Sequence, residues 1–420
     1  MPQLFPLITP GASVIGSYGA PQVKIGDSKL IGAVTGLKRD FFGGIPFAEP
    51  PLGNLRLRLP VLKTSLDSAT FDASNFGSVC LQPNVSLPLA SEDCLTINVF
   101  RPSNFEPDAK LPVLETLNRY GGESQEGASA IYNGSLIVAQ AAARGTPLIY
   151  VNFNYRLGPL GFSQGIEATK QGALNLALKE ELTATQWLQH NIGAFSSDTT
   201  KVTVFGESAG TIMNSILFLN SGLEELARGA ILGSGSQATS VNLGPHAVKA
   251  TGTILLQGLL LVAHCRLRAA ISKAPEEFGF NQTIEGPGGL YPGTPSRLFS
   301  QGHFARLSFI AGTNLDEGTL FIPPDINSED QIRKFIVANF SPQIVQPAQL
   351  DDAATKLLQP YPDVPALGSL FNAGNDTFGL SSQFKRASAM QGDLEFQSQH
   401  RFWQQTAANA NVKTYGYLFT

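Results

Sequence analysis

Short apolar runs alternate with segments of helical spacing along most of the chain. Two segments, 174–192 and 209 to about 219, repeat apolar residues at helical intervals. The apolar runs are typical of strands buried on both faces of a sheet, and they lie at 111–117, 147–153, 201–205, 228–232, 307–311 and 414–419. We find no internal repeat and no linker that divides the chain. The alternation predicts an α/β fold with a mostly parallel sheet and helices on both faces.

Composition restricts the class of protein. The chain has 420 residues, of which 43% are hydrophobic, so it can bury an extensive core without a metal or a dense disulfide framework. Its 29 Lys and Arg against 33 Asp and Glu give a net charge of −4. A chain with no basic excess is a poor partner for nucleic acid. The best apolar run, 253–263, is shorter than the roughly 20 residues of a membrane span.

The amino terminus and the cysteines bear on the cellular compartment. Residues 1–22 lack a positive region and are interrupted by Pro2, Pro6 and Pro10, so we interpret them as, at most, the remnant of an export signal. Cys80 and Cys94 flank a 13-residue loop and could form a local disulfide, with Cys265 left over; the alternative is three reduced, buried thiols. Glycosylation is permitted by the acceptor motifs at Asn84, Asn133, Asn281, Asn339 and Asn375.

The strongest chemical signal is the segment VTVFGESAG at 202–210. It contains G-x-S-x-G between an apolar run and a helical segment, which is the strand–turn–helix context of a nucleophile elbow. Gly206 and Gly210 allow strand and helix to pack around a sharp turn, and Ser208 is held at the turn. The pattern therefore predicts that Ser208 is a catalytic nucleophile.

A nucleophilic serine needs a base and an acid that orients the base. The run LSFIAGTNLDEGTLF at 307–321 predicts a strand followed by a loop that carries Asp316 and Glu317. From position alone, either carboxylate could be the acid, or both could be solvated loop residues.

Five motifs carry a resemblance to a known family. They are GIPFAEPPLGNLR (44–56), SEDCLTINVFRP (91–102), NFNYRLGPLGF (152–162), VTVFGESAG (202–210) and GTNLDEGTLF (312–321). These motifs are long and occur in the family's order. They closely resemble those of type-B carboxylesterases, which include cholinesterases and large fungal lipases. The resemblance implies an α/β-hydrolase fold and hydrolysis of carboxylic esters without a cofactor. It makes Ser208 the nucleophile and Glu317 the acid, and it matches Cys80–Cys94 to the family's first disulfide.

The oxyanion hole departs from the family pattern. The N–H of Ala209 should be one donor, and a glycine-rich loop should supply others, here Gly121 and Gly122. The family's third glycine is replaced by Glu123, and a phenylalanine by Ser124. A carboxylate at this position would repel an oxyanion. The competing interpretation of residues 121–122 is an ordinary Gly-Gly turn.

The histidine of the triad is the larger departure. The family places it on a loop after the strand that here spans 414–419, so we expect it beyond Thr420, with residues 23–420 forming an α/β-hydrolase domain that is incomplete at its carboxyl end. No histidine of this chain has the family's His-Gly context; the five are His190, His246, His264, His303 and His400. A non-catalytic, esterase-like binding scaffold is therefore the alternative to an active esterase.

Other chemistries have little support. The glycine pattern at 233–238 resembles a dinucleotide motif but lacks the acid that should follow about 20 residues later, and no cluster has metal-ligand spacing. The expected partner is a small-molecule or lipid ester. Residues 81–93 contain two prolines and are too few for an amphipathic lid, which favours short-to-medium acyl esters. The family's disulfide favours secretion.

Overall fold

A computed structural model of the protein describes residues 19–82, 89–103, 105–106, 108–117, 132–220, 222–240, 281–340 and 346–420. Its strands are β1 (Gln22–Ile25), β2 (Ser28–Ile31), β3 (Ala33–Val34), β4 (Arg39–Pro46), β5 (Thr70–Asp72), β6 (Val79–Cys80), β7 (Ala90–Ser91), β8 (Thr96–Pro102), β9 (Leu111–Leu117), β10 (Ile149–Phe153), β11 (Ser197–Glu207), β12 (Gly229–Gly233), β13 (Ser308–Asn314) and β14 (Thr414–Phe419).

The helices of the described residues connect these strands. They are α1 (Ser135–Ala143), α2 (Gly158–Gly161), α3 (Ile166–Lys170), α4 (Leu176–Asn191), α5 (Ala209–Leu217), α6 (Leu223–Leu226), α7 (Pro295–Ser300), α8 (Glu329–Phe340), α9 (Pro347–Leu358), α10 (Ser382–Gly392) and α11 (Ser398–Asn409). A π-helical turn, Asp393–Gln397, joins α10 to α11.

The main sheet has nine strands in the described residues, in the spatial order β14-β13-β12-β11-β9-β10-β8-β4-β3. All pairs from β14 to β10 are parallel, whereas β8, β4 and β3 continue the sheet with antiparallel pairing. Parallel neighbours bring the carboxyl ends of β11, β12 and β13 to one edge, where loops in open α/β sheets bind ligands.

Both faces of the sheet are covered. Along β10, Tyr150 packs with Val138 of α1 in one apolar cluster. Val151 belongs to the large core, which includes Trp187 of α4. Successive strand residues point to opposite faces, so the helices lie on both sides, as the sequence predicts. A separate apolar cluster joins α8, α9 and α10 through Ile332, Ile336, Ala354, Leu358 and Met390.

Most predicted elements are present with shifted ends. The strands at 111–117 and 414–419 coincide with β9 and β14, and the helix predicted over 174–192 is α4. β11 begins at Ser197, four residues before the predicted start, because Ser197 pairs with Leu111 ahead of an irregularity in register. Of the predicted amino-terminal segment 1–22, residues 1–18 lie outside the described residues, and β1 begins at Gln22.

Cys80 and Cys94 form a disulfide, with their Cα atoms 5.0 Å apart. Both cysteines are buried. β6 and β7 close the intervening loop at its base, since Val79 pairs with Ala90 and Cys80 with Ser91. Only about nine residues, 81–89, therefore connect the paired segments. Cys265 lies outside the described residues.

Candidate active site

Ser208 occupies the sharp turn between β11 and α5. Its φ of 56° and ψ of −121° are a left-handed conformation that L-residues rarely adopt. The turn requires glycine at 206, because a Cβ there would lie 2.4 Å from the carbonyl carbon of Gly210. Ala209 is the first residue of α5, so its N–H has no acceptor within that helix. The elbow thus presents a serine hydroxyl at the positive end of a helix.

The elbow is fixed to the neighbouring strand. The N–H of Ser208 donates to the carbonyl of Gly233, the last residue of β12, at 2.8 Å. The Thr211 hydroxyl lies 2.6 Å from the carbonyl of Gly206 and accepts a hydrogen bond from the N–H of Gly233 at 2.9 Å. These bonds hold a strained turn against a rigid sheet, which is how folds retain such conformations.

The two candidate acids have different partners. Asp316 Oδ1 accepts hydrogen bonds from the Ser369 hydroxyl at 2.6 Å and from the N–H of Phe371 at 2.9 Å. Asp316 therefore fixes a distant loop. Glu317 Oε1 accepts from the N–H of Asn314 at 2.7 Å and from Asn314 Nδ2 at 3.2 Å. Because both bonds go to Oε1, Oε2 is the atom that can accept a histidine N–H.

Ser208 and Glu317 lie at the same edge of the sheet. Ser208 follows β11 and Glu317 follows β13, with β12 between them. Strands are spaced about 4.8 Å apart, so the ends of β11 and β13 are separated by about 10 Å along the sheet. An imidazole ring placed between Ser208 and Glu317 could span most of this distance and hydrogen-bond to both side chains.

A row of four paired positions crosses this edge. Glu207, Gly233, Gly312 and Tyr417 are register partners on β11, β12, β13 and β14. A Cβ on Gly312 would lie 2.4 Å from the Tyr417 ring, and one on Gly233 would lie 2.9 Å from the Tyr417 hydroxyl. The phenol therefore lies flat across two glycines. Burial and the carboxylates of Glu317 and Glu207 raise the pKa of Tyr417.

The histidines of the described residues make their hydrogen bonds elsewhere. His190 is exposed, and its Nδ1 contacts the carbonyl of Gln186. His303 is an exposed residue between α7 and β13. His400 is buried in α11, where its Nε2 contacts the carbonyl of Gly235, and burial lowers its pKa to about 4. No hydrogen bond joins any of these three to Ser208 or Glu317 in the part of the chain that the structure describes.

Other sequence expectations fall partly or wholly outside the described ranges. Gly121, Gly122, Glu123, His246 and His264 are all outside them. Within them, no group of three or more His, Cys, Asp or Glu residues could hold a metal ion, and no helix has the length and apolar character to cross a membrane.

Sequence reasoning missed three residues of this edge. Asn314 Nδ2 donates to Glu317 and also, at 3.2 Å, to the Ser234 hydroxyl. Asn314 stands inside the GTNLDEG motif, so its place in the sequence was a usable signal. His400 and Tyr417 carried no such signal, because their neighbours here come from distant segments. A groove of about 840 Å³ beside the acid loop is lined in part by His400 and Tyr417.

Comparison with known proteins identifies the family. The profile of the carboxylesterase family matches residues 20–257. The chain belongs to the carboxylesterase family. Lipase 2 of Geotrichum candidum is 30% identical over 458 residues, covering 94% of this chain and 79% of the lipase. The secreted triacylglycerol lipase LIP1 of Gibberella zeae is 31% identical, covering 94% of this chain and 74% of that protein.

Solved structures agree with this carboxylesterase assignment. Aspergillus niger EstA superposes with a TM-score of 0.79 at 25% identity, covering 95% of this chain and 77% of EstA. A PNB esterase superposes with a TM-score of 0.73 at 27% identity, covering 94% of this chain and 79% of that one. The expected family and α/β-hydrolase fold are confirmed, and this carboxylesterase is a carboxylic ester hydrolase.

Proposed function

We propose that the protein hydrolyses carboxylic esters through an acyl-enzyme on Ser208. The observation that carries this proposal is the strained elbow, which holds Ser208 between β11 and α5 at the edge that also carries Glu317. The serine oxygen attacks the ester carbonyl, and the alcohol leaves with a proton. Water then attacks the acyl-serine and releases the carboxylic acid. The N–H of Ala209, with Gly121 or Gly122, stabilises the oxyanion.

Glu317 is the proposed acid of the triad. Asn314 already directs two donors to Oε1, which leaves Oε2 to orient the histidine. That histidine, which the family resemblance places after β14, accepts the serine proton and passes it to the leaving alcohol. Asp316 is the weaker candidate, because one of its oxygens holds the loop at Ser369 and Phe371.

We propose short-to-medium acyl esters as the substrate class. The pairing of β6 with β7 leaves about nine residues, 81–89, between the ends of the Cys80–Cys94 loop. This length, with Pro83 and Pro88 inside it, is too short for an amphipathic helix of several turns with both connections. A loop of this length would not supply the apolar underside with which an amphipathic flap docks on a lipid droplet.

Secretion is proposed on two grounds. Relatives from Gibberella zeae and Botryotinia fuckeliana are named as secreted lipases. The Cys80–Cys94 disulfide is of a kind that persists in oxidising compartments. Asn133 and Asn375 are exposed acceptor positions for glycosylation.

A non-catalytic esterase-like scaffold is the second candidate. It is favoured by one observation: the three described histidines do not bond to Ser208 or Glu317. A scaffold would bind esters at the groove beside the acid loop without turning them over.

Labelling with a fluorophosphonate probe separates the two candidates. Only an activated serine reacts with the probe, so we expect labelling of the protein that carries the histidine expected after β14 and of its Ser215→Ala variant, and none of its Ser208→Ala variant. Ser215 is a suitable control because it is a buried serine on the same helix, α5, and its hydroxyl has no hydrogen-bond partner among the residues that the structure describes. Labelling that persists in Ser208→Ala would refute the nucleophile. Absence of both labelling and ester turnover in the protein that carries this histidine would favour the scaffold.

A further inference from the structure

The amide of Asn314 joins the two halves of the proposed site. Its Nδ2 donates one hydrogen to Glu317 Oε1 and the other to the Ser234 hydroxyl, both at 3.2 Å. We propose that Asn314 is a positioning residue that fixes the carboxylate of Glu317 relative to the elbow of Ser208. This inference rests on the proposed role of Glu317 as the acid.

The Ser234 end of this bridge leads to the nucleophile. Ser234 follows β12 with a φ of 58°, and its N–H donates to the carbonyl of Gly312 at 2.8 Å. The next residue, Gly235, lies against the elbow, because a Cβ on it would come within 3.0 Å of the Ser208 carbonyl oxygen. A side chain anchored to Ser234 is therefore anchored to the turn that supports Ser208.

At the other end of the bridge, Asn314 restricts the rotation of the Glu317 side chain. A glutamate side chain has several rotatable bonds, and a half-buried one in a loop can point in many directions. The N–H of Asn314 at 2.7 Å and its Nδ2 at 3.2 Å both bind Oε1. Two donors on one oxygen fix the rotation of the carboxylate, and hydrogen bonds to a charged acceptor are stronger than neutral ones. Oε2 is then held in one direction for a histidine.

The chemistry of the side chain matters as well as its shape. An amide donates from nitrogen and carries no charge, so it binds a carboxylate without neutralising it. Aspartate has almost the same shape but has no donor and would repel Glu317. Asn314 also ends β13, but that role uses its backbone, which pairs with Phe419. Substitutions at the side chain can therefore separate positioning from strand formation.

The test is hydrolysis of a soluble fluorogenic short-chain ester by Asn314→Ala, Asn314→Asp, Glu317→Gln and the double variant Asn314→Ala/Glu317→Gln. Loss of a hydrogen bond to a charged group should lower kcat about tenfold in Asn314→Ala, with KM within about twofold. Asn314→Asp, which adds repulsion, should lose more. In the Glu317→Gln background, Asn314→Ala should have almost no further effect, because the two residues act through one interaction.

Gln397→Ala is the matched control. Gln397 donates to the carbonyl of Asn314 at 3.0 Å, so it supports the same residue without contacting either acid. We expect its kcat to stay within about twofold of wild type. Thermal unfolding identifies any variant that fails to fold, and Asn314→Asp, which conserves size, then serves in place of Asn314→Ala.

The outcomes distinguish the two proposals. If Glu317→Gln is inactive while Asn314→Ala keeps wild-type kcat, only the positioning role is refuted. An equal loss from Asn314→Ala in the presence and absence of Glu317 would also refute it, because the effect would then be structural. All these variants are made in the protein that carries the histidine expected after β14. If its Glu317→Gln variant remains fully active, or if it does not hydrolyse esters at all, the proposed acid and the positioning role are refuted together.

Discussion

Raising the pH should destabilise the protein through a buried pair of acids on β9 and α4. Glu115 on β9 and Glu181 on α4 are each 2% exposed. The Thr185 hydroxyl donates to Glu115 Oε1 at 2.9 Å, whereas Glu115 Oε2 and both carboxylate oxygens of Glu181 have no hydrogen-bond partner within the described ranges. Burial raises the pKa of Glu115 to about 8. Burial and the neighbouring Glu115 carboxylate raise the pKa of Glu181 well above its ordinary value.

Among the described residues, the groups around the pair offer no cation. The nearby Arg156 forms a buried ion pair with Glu180, the residue before Glu181 in α4. Tyr155 also faces Glu181, and burial raises its pKa, so it stays neutral through the relevant pH range. The pair must therefore hold at least one proton in the folded protein, and its two carboxyl groups titrate as a unit.

The sign and size of the effect follow from linkage. A carboxyl whose pKa is raised on folding makes its full contribution to the stability of the folded protein when the pH is below the ordinary pKa of 4.5. That contribution is lost as the pH rises towards the folded-state pKa of about 8. Each pH unit in that window costs about 1.4 kcal/mol per proton. Between pH 6.5 and 8 the loss should be about 2 kcal/mol for each proton that the pair holds, a large part of a typical free energy of unfolding of about 5–15 kcal/mol.

Urea denaturation at pH 6.5, 7.25 and 8 measures this slope. This range begins at the ordinary histidine pKa of 6.5, and His400, whose pKa is lowered by burial, contributes little to the slope above it. Replacing both acids (Glu115→Gln with Glu181→Gln) should flatten the dependence, while the control Glu225→Gln, at an exposed position, should keep the wild-type slope. A wild-type free energy of unfolding that is constant over this range, or a slope unchanged in the double variant, would refute the reasoning.

Three further predictions are independent of that pair. Peptide mapping of a non-reduced digest should find Cys80 linked to Cys94 and Cys265 free; a peptide that links Cys265 to either would contradict the disulfide assignment. Hydrolysis of a short triglyceride should follow its dissolved concentration smoothly, and a sharp rise in rate at the solubility limit would instead indicate a lid. Because burial lowers the pKa of His400 to about 4, its contribution to stability should disappear as the pH falls from 6.5 to 4. His400→Gln should reduce that acid-side slope in urea denaturation, and an unchanged slope would show that the imidazole is solvated.

Local sequence predicted the elements that depend on local rules. β9, β14 and the elbow at Ser208 follow from apolar runs and from the glycine that the turn requires. The burial of Glu180 and Glu181 in α4 did not follow from spacing, since the groups that these two acids face, Arg156 and Glu115, lie on other segments. Helical periodicity predicts one polar face, and only the tertiary structure shows that α4 is enclosed on more sides.

The candidate site also combines residues that local sequence predicts with contacts that it does not predict. Ser208 and the pair Asp316 and Glu317 were readable from motifs, and the choice of Glu317 came from the family resemblance. The hydrogen bonds that separate the two acids involve Ser369 and Asn314, and a bond between residues 53 positions apart leaves no periodic pattern in a single sequence.

The position of the Tyr417 phenol beside the candidate site depends on the register in which β14 pairs with β13. Tyr417 reaches across Gly312 to Gly233 only while β14 is paired so that it stands opposite Gly312. A shift of β14 by one residue would place Gly416 or Leu418 there and turn the ring to the other face of the sheet. The two glycines therefore accept the Tyr417 ring in only one alignment of β14. A chain in which β14 pairs one residue out of register would fold without the phenol beside Glu207 and Glu317.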